Sequence, residues 1–217
     1  MFVLKRGVLM SLARRLVDVV VILGVAYLSF AMALAGWIAA LRRGEGVTLL
    51  PARGGRKAGF WKEMGLVAAC LAAFYLLARM LWLPLPIRVP SRLTPVLLGF
   101  GSFLFLAGTG LVIWARNTLG RMWGISTSRE VKLLPDHRLI TGGPYAFIRH
   151  PMYFGWWLAV FGVLLIYRTW LVALVFVFSL LVFHRRARLE ERVLAERFGE
   201  EWRAYAERTR FLVPFVY

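Results

Sequence analysis

Two runs of this chain carry side chains able to do chemistry. One is Arg149-His150-Pro151-Met152-Tyr153, led in by Gly142-Gly143-Pro144-Tyr145; the other is Arg185-Arg186-Ala187-Arg188-Leu189-Glu190-Glu191. The first sets a guanidinium, an imidazole and a phenol within five residues. In the second, Arg186 and Glu190 stand four apart on one helical face, where alone they would form a surface ion pair worth about 0.3–0.5 kcal/mol. Opposite charges gathered beside an Arg-His turn suit a zwitterionic ligand that carries both an ammonium and a carboxylate. His150 and His137 are the first candidates, by pKa, for moving a proton near neutral pH.

The surroundings of these runs are apolar. Of 217 residues, 60% are hydrophobic, with 16 Phe, 9 Trp and 7 Tyr, which places the chain among integral membrane proteins. Three segments, about 16–41, 62–83 and 93–115, match the ~20 helical residues that a ~30 Å hydrocarbon core requires. Pro84, Pro86 and Pro90 separate the second from the third. Gly99, Gly101, Gly108 and Gly110 give the third a small-residue face for close helix packing. After a polar stretch, 117–144, come two shorter apolar segments, about 152–167 and 170–183, parted only by Arg168-Thr169. They read as a tight helical hairpin that returns the chain to the face it left, so both reactive runs meet at one membrane boundary. From His184 the chain turns charged, with Leu189, Val193, Leu194 and Phe198 at helical spacing and Gly199 as a stop, an amphipathic helix near the membrane surface. Irregular polar backbone at such a boundary is tolerated only where protein buries it or a wet cavity meets it.

The expected fold is therefore all-α, a bundle of about five transmembrane helices with a short C-terminal hairpin and a cytoplasmic amphipathic helix. Residues 1–115 form an N-terminal spanning half and 116–217 the half that carries the chemistry. The net charge of +17 falls beside apolar segments, so cytoplasmic loops and anionic headgroups explain it better than nucleic acid, which is not an expected partner. Basic residues in the 42–62 loop, the 116–149 stretch and the tail all favour the cytoplasm. Five spans then put the N-terminus outside despite Lys5, Arg6, Arg14 and Arg15. The first apolar run is too long for a cleaved leader, and an uncleaved span is expected. Residues 42–59 are the only linker-like stretch. Cys70 reads as a small buried hydrophobe, and no metal site is read.

The run Gly142 to Gly155, together with Glu190-Glu191, Phe198-Gly199-Glu200-Glu201-Trp202-Arg203-Ala204-Tyr205 and Pro214, resembles the isoprenylcysteine carboxyl methyltransferase family, within a wider group that includes phospholipid methyltransferases. The likeness covers residues 119–214, and its specificity lies in the two motifs occurring together. It implies a membrane methyltransferase using S-adenosylmethionine, held in a cytoplasm-facing pocket of the C-terminal half. By position, His137, Tyr145, Arg149, His150, Pro151, Tyr153, Glu190 and Glu191 match the cofactor side, with Glu191 set to hold the methionine ammonium. Backbone around Leu139, Ile140 and Gly142 would hold the adenosine end. Arg186 matches the cofactor–substrate junction and, with His150, a catalytic role. Where the eukaryotic enzymes carry a further arginine upstream of His137, this chain has Leu134, with Lys132 the nearest base.

Methyl transfer from a sulfonium is an in-line displacement that depends on positioning and desolvation more than on strong acids and bases. A carboxylate acceptor needs no general base, whereas a phenol, enol or amine does. A lipophilic acceptor would enter sideways from the bilayer past Trp156 and Trp157, which also fit as interfacial anchors. The expected partners are such an acceptor and membrane lipids, in the cytoplasmic membrane of a prokaryote. Isoprenoid, polyketide-like and prenylcysteine acceptors stay open, as do a phospholipid headgroup N-methyltransferase, an NADPH-dependent sterol-type reductase and a non-enzymatic scaffold.

Overall fold

The computed structural model describes residues 2–29, 69, 72–73, 75–76, 79–122 and 137–213. Most of the second apolar segment, the 42–59 linker, Cys70, Lys132, Leu134 and Pro214 lie outside them. Among the described residues the chain is mostly helical, with no strand beyond two isolated bridges. Helix α1 is Phe2–Ser29, α2 Thr94–Leu119, α3 Pro151–Tyr167, α4 Trp170–Phe198 and α5 Glu200–Arg208. Short 3₁₀ turns at Ser91–Leu93, Gly120–Met122 and Gly143–Ala146 flank α2 and precede α3.

Proline and left-handed residues punctuate these helices. Pro151 opens α3, where its missing N–H would have had no partner. Arg168 closes α3 in the left-handed conformation, φ 52°, and its N–H returns to the Leu164 carbonyl at 2.8 Å. A non-glycine residue there costs about 1–2 kcal/mol, offset by the two-residue turn it makes into α4. Gly199, also at φ 52°, separates α4 from α5, so it does act as the stop. The hairpin is thus present, with a second arm longer than its apolar part. Residues 170–183 and the charged 184–198 form one helix of 29 residues. At 1.5 Å per residue it runs about 43 Å and outreaches a ~30 Å hydrocarbon core.

Helices α2 and α3 pack antiparallel through paired glycines. A Cβ at Gly101 would lie 2.7 Å from the Gly162 carbonyl oxygen, and one at Gly155 would lie 2.8 Å from that of Gly108. Gly99 and Gly110 meet nothing within 4 Å, so only half of the expected glycine face packs. At about 100° per residue, Gly101 and Gly108 fall on one side, while Gly99 and Gly110 are turned well away from it. Phe105, Val112, Ala115, Met152, Ala159 and Ile166 fill the seam, joined by Val21 and Leu28 of α1 and by Tyr145. Gly24 of α1 lies against the Phe105 ring.

Ser91–Leu119 and Trp170–Phe198 are long and apolar enough to cross a membrane, and Pro151–Tyr167 is a shorter apolar helix. Phe100, Phe103 and Leu106 on α2, with Leu174, Val177, Phe178 and Leu181 on α4, are exposed, as a lipid-facing surface requires. Backbone bonds tie the α3–α4 tip to the segment before α2: Leu85 N–H donates to the Arg168 carbonyl at 2.7 Å, and Trp170 N–H to that of Leu83 at 3.0 Å.

Candidate functional site

The two reactive runs do meet. His150 caps the start of α3, and Arg186, Glu190 and Glu191 lie on the charged half of α4, which the hairpin brings back beside it. Tyr153, one turn into α3, donates its phenol to Glu190 Oε1 at 2.6 Å. Arg186 Nε donates both to Tyr153 Oη and to Glu190 Oε1, each at 3.0 Å. Arg149 Nε reaches Glu191 Oε1 at 2.5 Å. The four-residue pair Arg186–Glu190 is therefore no surface ornament but one corner of a cluster that joins two helices and a turn.

His150 sits at the centre, 7% exposed. Its Nδ1 is 3.6 Å from Glu190 Oε2 and its Nε2 is 3.6 Å from Glu191 Oε1. Both contacts are longer than a hydrogen bond, and Nε2 is buried with no hydrogen-bond partner. The ring is held by aromatic neighbours instead: stacked on Tyr153 at 5.5 Å and edge-on to Phe211 at 5.4 Å. Tyr153 in turn stacks on Phe183 at 4.8 Å. Burial opposes the charge on Glu191, yet the His150 imidazole and the Arg149 guanidinium beside it hold its carboxyl below the ordinary carboxylate range. Both carboxylates also lie at the N-terminus of α3, where the helix dipole favours negative charge.

The other expected residues are not all drawn into this cluster. Pro151 is fully buried. Tyr145 is buried, its carbonyl accepting the Tyr205 hydroxyl at 2.8 Å, and burial raises its own phenol pKa. Ile140 packs on the α2–α3 core. Gly142 is exposed and caps the turn Gly143–Ala146, and Leu139 is half-buried. His137 rests against Phe198, ring centres 6.2 Å apart, about 10–12 Å further along α4 than the carboxylates. Trp156 meets the Phe183 edge at 6.1 Å. The indole N–H groups of Trp156 and Trp157 are buried and unpartnered, so these side chains face into the fold and are not simple interfacial anchors.

Two aromatic walls escaped the sequence reading. Phe183 had a signal: with Ala187 and Glu190 it makes an i, i+4, i+7 stripe on one face of α4. Phe211 had none, because it lies beyond the last helix and returns only through tertiary contacts. Arg149 Nη1 donates to the carbonyls of Ala206 and Thr209 at 2.8 and 2.6 Å. Its main-chain N–H donates to Arg210 O at 2.8 Å, and Arg210 N–H to Phe147 O at 3.1 Å.

Residues 100–196 match the model of the Isoprenylcysteine carboxyl methyltransferase (ICMT) family. Curated relatives named protein-S-isoprenylcysteine O-methyltransferase align with this chain. The Saccharomyces cerevisiae protein is 31% identical over 121 residues, covering 54% of this chain and 48% of that protein. The Schizosaccharomyces pombe protein is 31% identical over 84 residues, 37% of this chain and 35% of its own. The Tribolium castaneum protein is 33% identical over 82 residues, 37% of this chain and 29% of its own. The chain thus matches less than half the length of each. A solved structure of the eukaryotic intramembrane Ras methyltransferase ICMT superposes with TM-score 0.50 at 20% identity, covering 90% of this chain and 68% of that one, which is a likeness of fold. The resemblance drawn from the Arg-His-Pro-Met-Tyr turn and the paired glutamates therefore holds, and the matched residues, 100–196, contain both motifs and begin within α2, earlier than the sequence motifs reach.

Proposed function

We propose, from the kinship of residues 100–196 with the isoprenylcysteine carboxyl methyltransferase family, that this chain is an integral membrane methyltransferase. It takes its methyl group from S-adenosylmethionine and gives it to a lipophilic acceptor bearing a carboxyl or hydroxyl group. One observation carries the reading: His150, Glu190 and Glu191 are brought together at the end of a membrane hairpin, with acceptor atoms still available. The hydrogen bonds described for the two carboxylates go to Oε1 of each. Oε2 of Glu190 and Glu191 would receive the ammonium of the donor's amino-acid end, and Arg186 beside them would meet its carboxylate. Backbone around Leu139, Ile140 and Gly142, with His137 and Tyr145, would take the adenosine end. The bound donor supplies an activated methyl group on a sulfonium.

The protein's own part is to bind, align and exclude water. Arg149 braces Glu191, and Tyr153 and Pro151 set the frame in which His150 stands. A carboxylate acceptor needs only alignment, while a hydroxyl acceptor would pass its proton to His150. The buried N–H of Trp156, with Arg186, would orient the acceptor's oxygen. Two adjacent carboxylates repel phosphates, which disfavours a nicotinamide dinucleotide phosphate at this cluster.

Five crossings are part of the proposal, with residues 116–217 as the cofactor half. Supporting them, Arg14 of α1 and the 83–85 segment both reach the hairpin tip, at the end away from the cluster, so the N-terminus would face the opposite side. The larger share of described arginines lies at the cluster end, which favours the cytoplasm for that end. Calorimetry on the purified protein with S-adenosylmethionine, S-adenosylhomocysteine and NADPH tests the reading. The first two are expected to bind. Binding of NADPH alone, or of none of the three, overturns it. Lipid extracted after incubation with methyl-labelled donor then identifies the acceptor.

A further inference from the structure

After α5 the chain turns extended at Thr209, φ −123° and ψ 154°, and passes back along the Arg-His turn. It pairs with that turn through the Ile148–Arg210 bridge. Arg149 adds side-chain bonds to two of its carbonyls. This strap packs Leu212 and Phe211 into the cluster that holds Tyr153 and Ala187, and Phe211 is the one whose ring meets His150. Phe211 is 3% exposed, and four cationic or titratable groups converge on its ring. His150 and His184 meet it edge to face at 5.4 and 5.5 Å. The guanidinium carbons of Arg188 and Arg149 stand 4.4 and 5.7 Å from its centre.

His150 has no hydrogen bond short enough to set its orientation, since both nitrogens stop 3.6 Å from the carboxylates. Its ring is fixed by Tyr153 on one side and by Phe211 on another. Tyr153 is itself locked to Glu190 and Arg186. Phe211 is thus the neighbour that stops the imidazole from turning away. The electron-rich face of a phenyl ring also attracts the Arg149 and Arg188 guanidiniums, which keeps Arg149 directed at Glu191.

We propose that Phe211, carried in by the strap after α5, is a positioning residue that aligns His150 between Glu190 and Glu191. An apolar side chain of similar bulk would fill the space, but only a ring can supply both the edge-to-face contact and the cation–π face. The functional consequence rests on the methyltransferase reading, whereas the alignment itself does not.

The chain has three histidines, so labelled imidazoles give a spectrum simple enough to follow in detergent micelles. The parent, Phe211→Leu and Phe211→Tyr are compared by NMR for contact between the His150 and Tyr153 rings, and by calorimetry with S-adenosylhomocysteine. Phe211→Leu is expected to insert and to lose the His150–Tyr153 contact, with binding weakened about tenfold. Phe211→Tyr is expected to keep both. An intact His150–Tyr153 contact in Phe211→Leu overturns the proposal, as does loss of the contact in both variants. Parent protein that shows the ring contacts but binds no S-adenosylhomocysteine sinks the methyltransferase reading and leaves the alignment tested.

Discussion

The hairpin α3–α4 is polar at both ends, and the two ends use polarity differently. At the tip, Asp18 of α1 accepts the Tyr167 hydroxyl at 2.7 Å and forms an ion pair with Arg14, Nε to Oδ1 3.2 Å. The guanidinium of Arg14 lies over the Tyr167 ring at 4.8 Å and reaches Ile166 O at 3.4 Å, while Arg168 donates to Leu165 O at 2.9 Å. Both arginines serve last-turn carbonyls of α3, which have no partner inside the helix and favour cations. The tip is a latch between α1 and the hairpin. At the other end two carboxylates, an imidazole and a phenol crowd the start of α3, and a buried His150 nitrogen lacks a hydrogen bond. At the tip the charged groups answer one another, although the buried Thr169 hydroxyl there also lacks a partner; at the other end it is carboxylate oxygens and an imidazole nitrogen that are to spare, an arrangement for a charged ligand.

Removing Glu191 breaks that contrast most sharply. Glu191→Gln keeps the shape but takes the charge from beside Arg149 and His150. Losing a hydrogen bond between charged groups is worth roughly 1.5–3 kcal/mol, about ten- to a hundredfold in affinity. In the proposed site the lost charge would also face the ligand ammonium, so binding of S-adenosylhomocysteine should fall at the upper end of that range or below detection, with His150→Ala behaving alike. Both proteins should still insert. Full binding by Glu191→Gln would remove that residue from the site. Acid gives a second readout. The depressed carboxyl of Glu191 adds stability that is complete above its ordinary value of 4.5 and vanishes as pH falls through the lower folded value. The parent's unfolding midpoint should therefore drop more steeply below that pH than the variant's.

The seam that joins the two ends comes next. A side chain at Gly108 would press on the Gly155 carbonyl and lie 2.5 Å from the Ala159 nitrogen. Gly108→Val should cost about 1–3 kcal/mol or more in unfolding measured in detergent. Gly110→Ala, on the open side, should gain about 0.5–1 kcal/mol. Equal losses at both positions would contradict the seam.

The hairpin was legible because Arg168-Thr169 interrupts two apolar runs and Pro151 opens the first, both local signals. The meeting of His150 with Glu190 and Glu191 followed from that topology alone. Which glycines pack did not follow: all four look alike until α3 supplies a partner with Gly155 and Gly162 at the same seven-residue spacing. The reach of α4 was hidden because apolar character stops at Phe183 while helix propensity continues through Arg, Leu and Glu to Phe198. The tip latch was equally invisible, since Asp18 and Tyr167 stand 149 positions apart and only folding pairs them.

That latch gives the smallest effect. Asp18→Asn leaves an oxygen for the Tyr167 hydroxyl but takes the charge from Arg14. The Arg14 and Asp18 side chains are 39% and 38% exposed, so solvent screens the pair and its loss should cost about 1 kcal/mol or less. The unfolding midpoint should shift slightly, and S-adenosylhomocysteine affinity should stay within about twofold of the parent, because nothing at the tip touches His150, Glu190 or Glu191. A fall in affinity matching that of Glu191→Gln would mean that α1, through the seam, sets the geometry at the far end. The two ends would then be one device rather than a latch and a site.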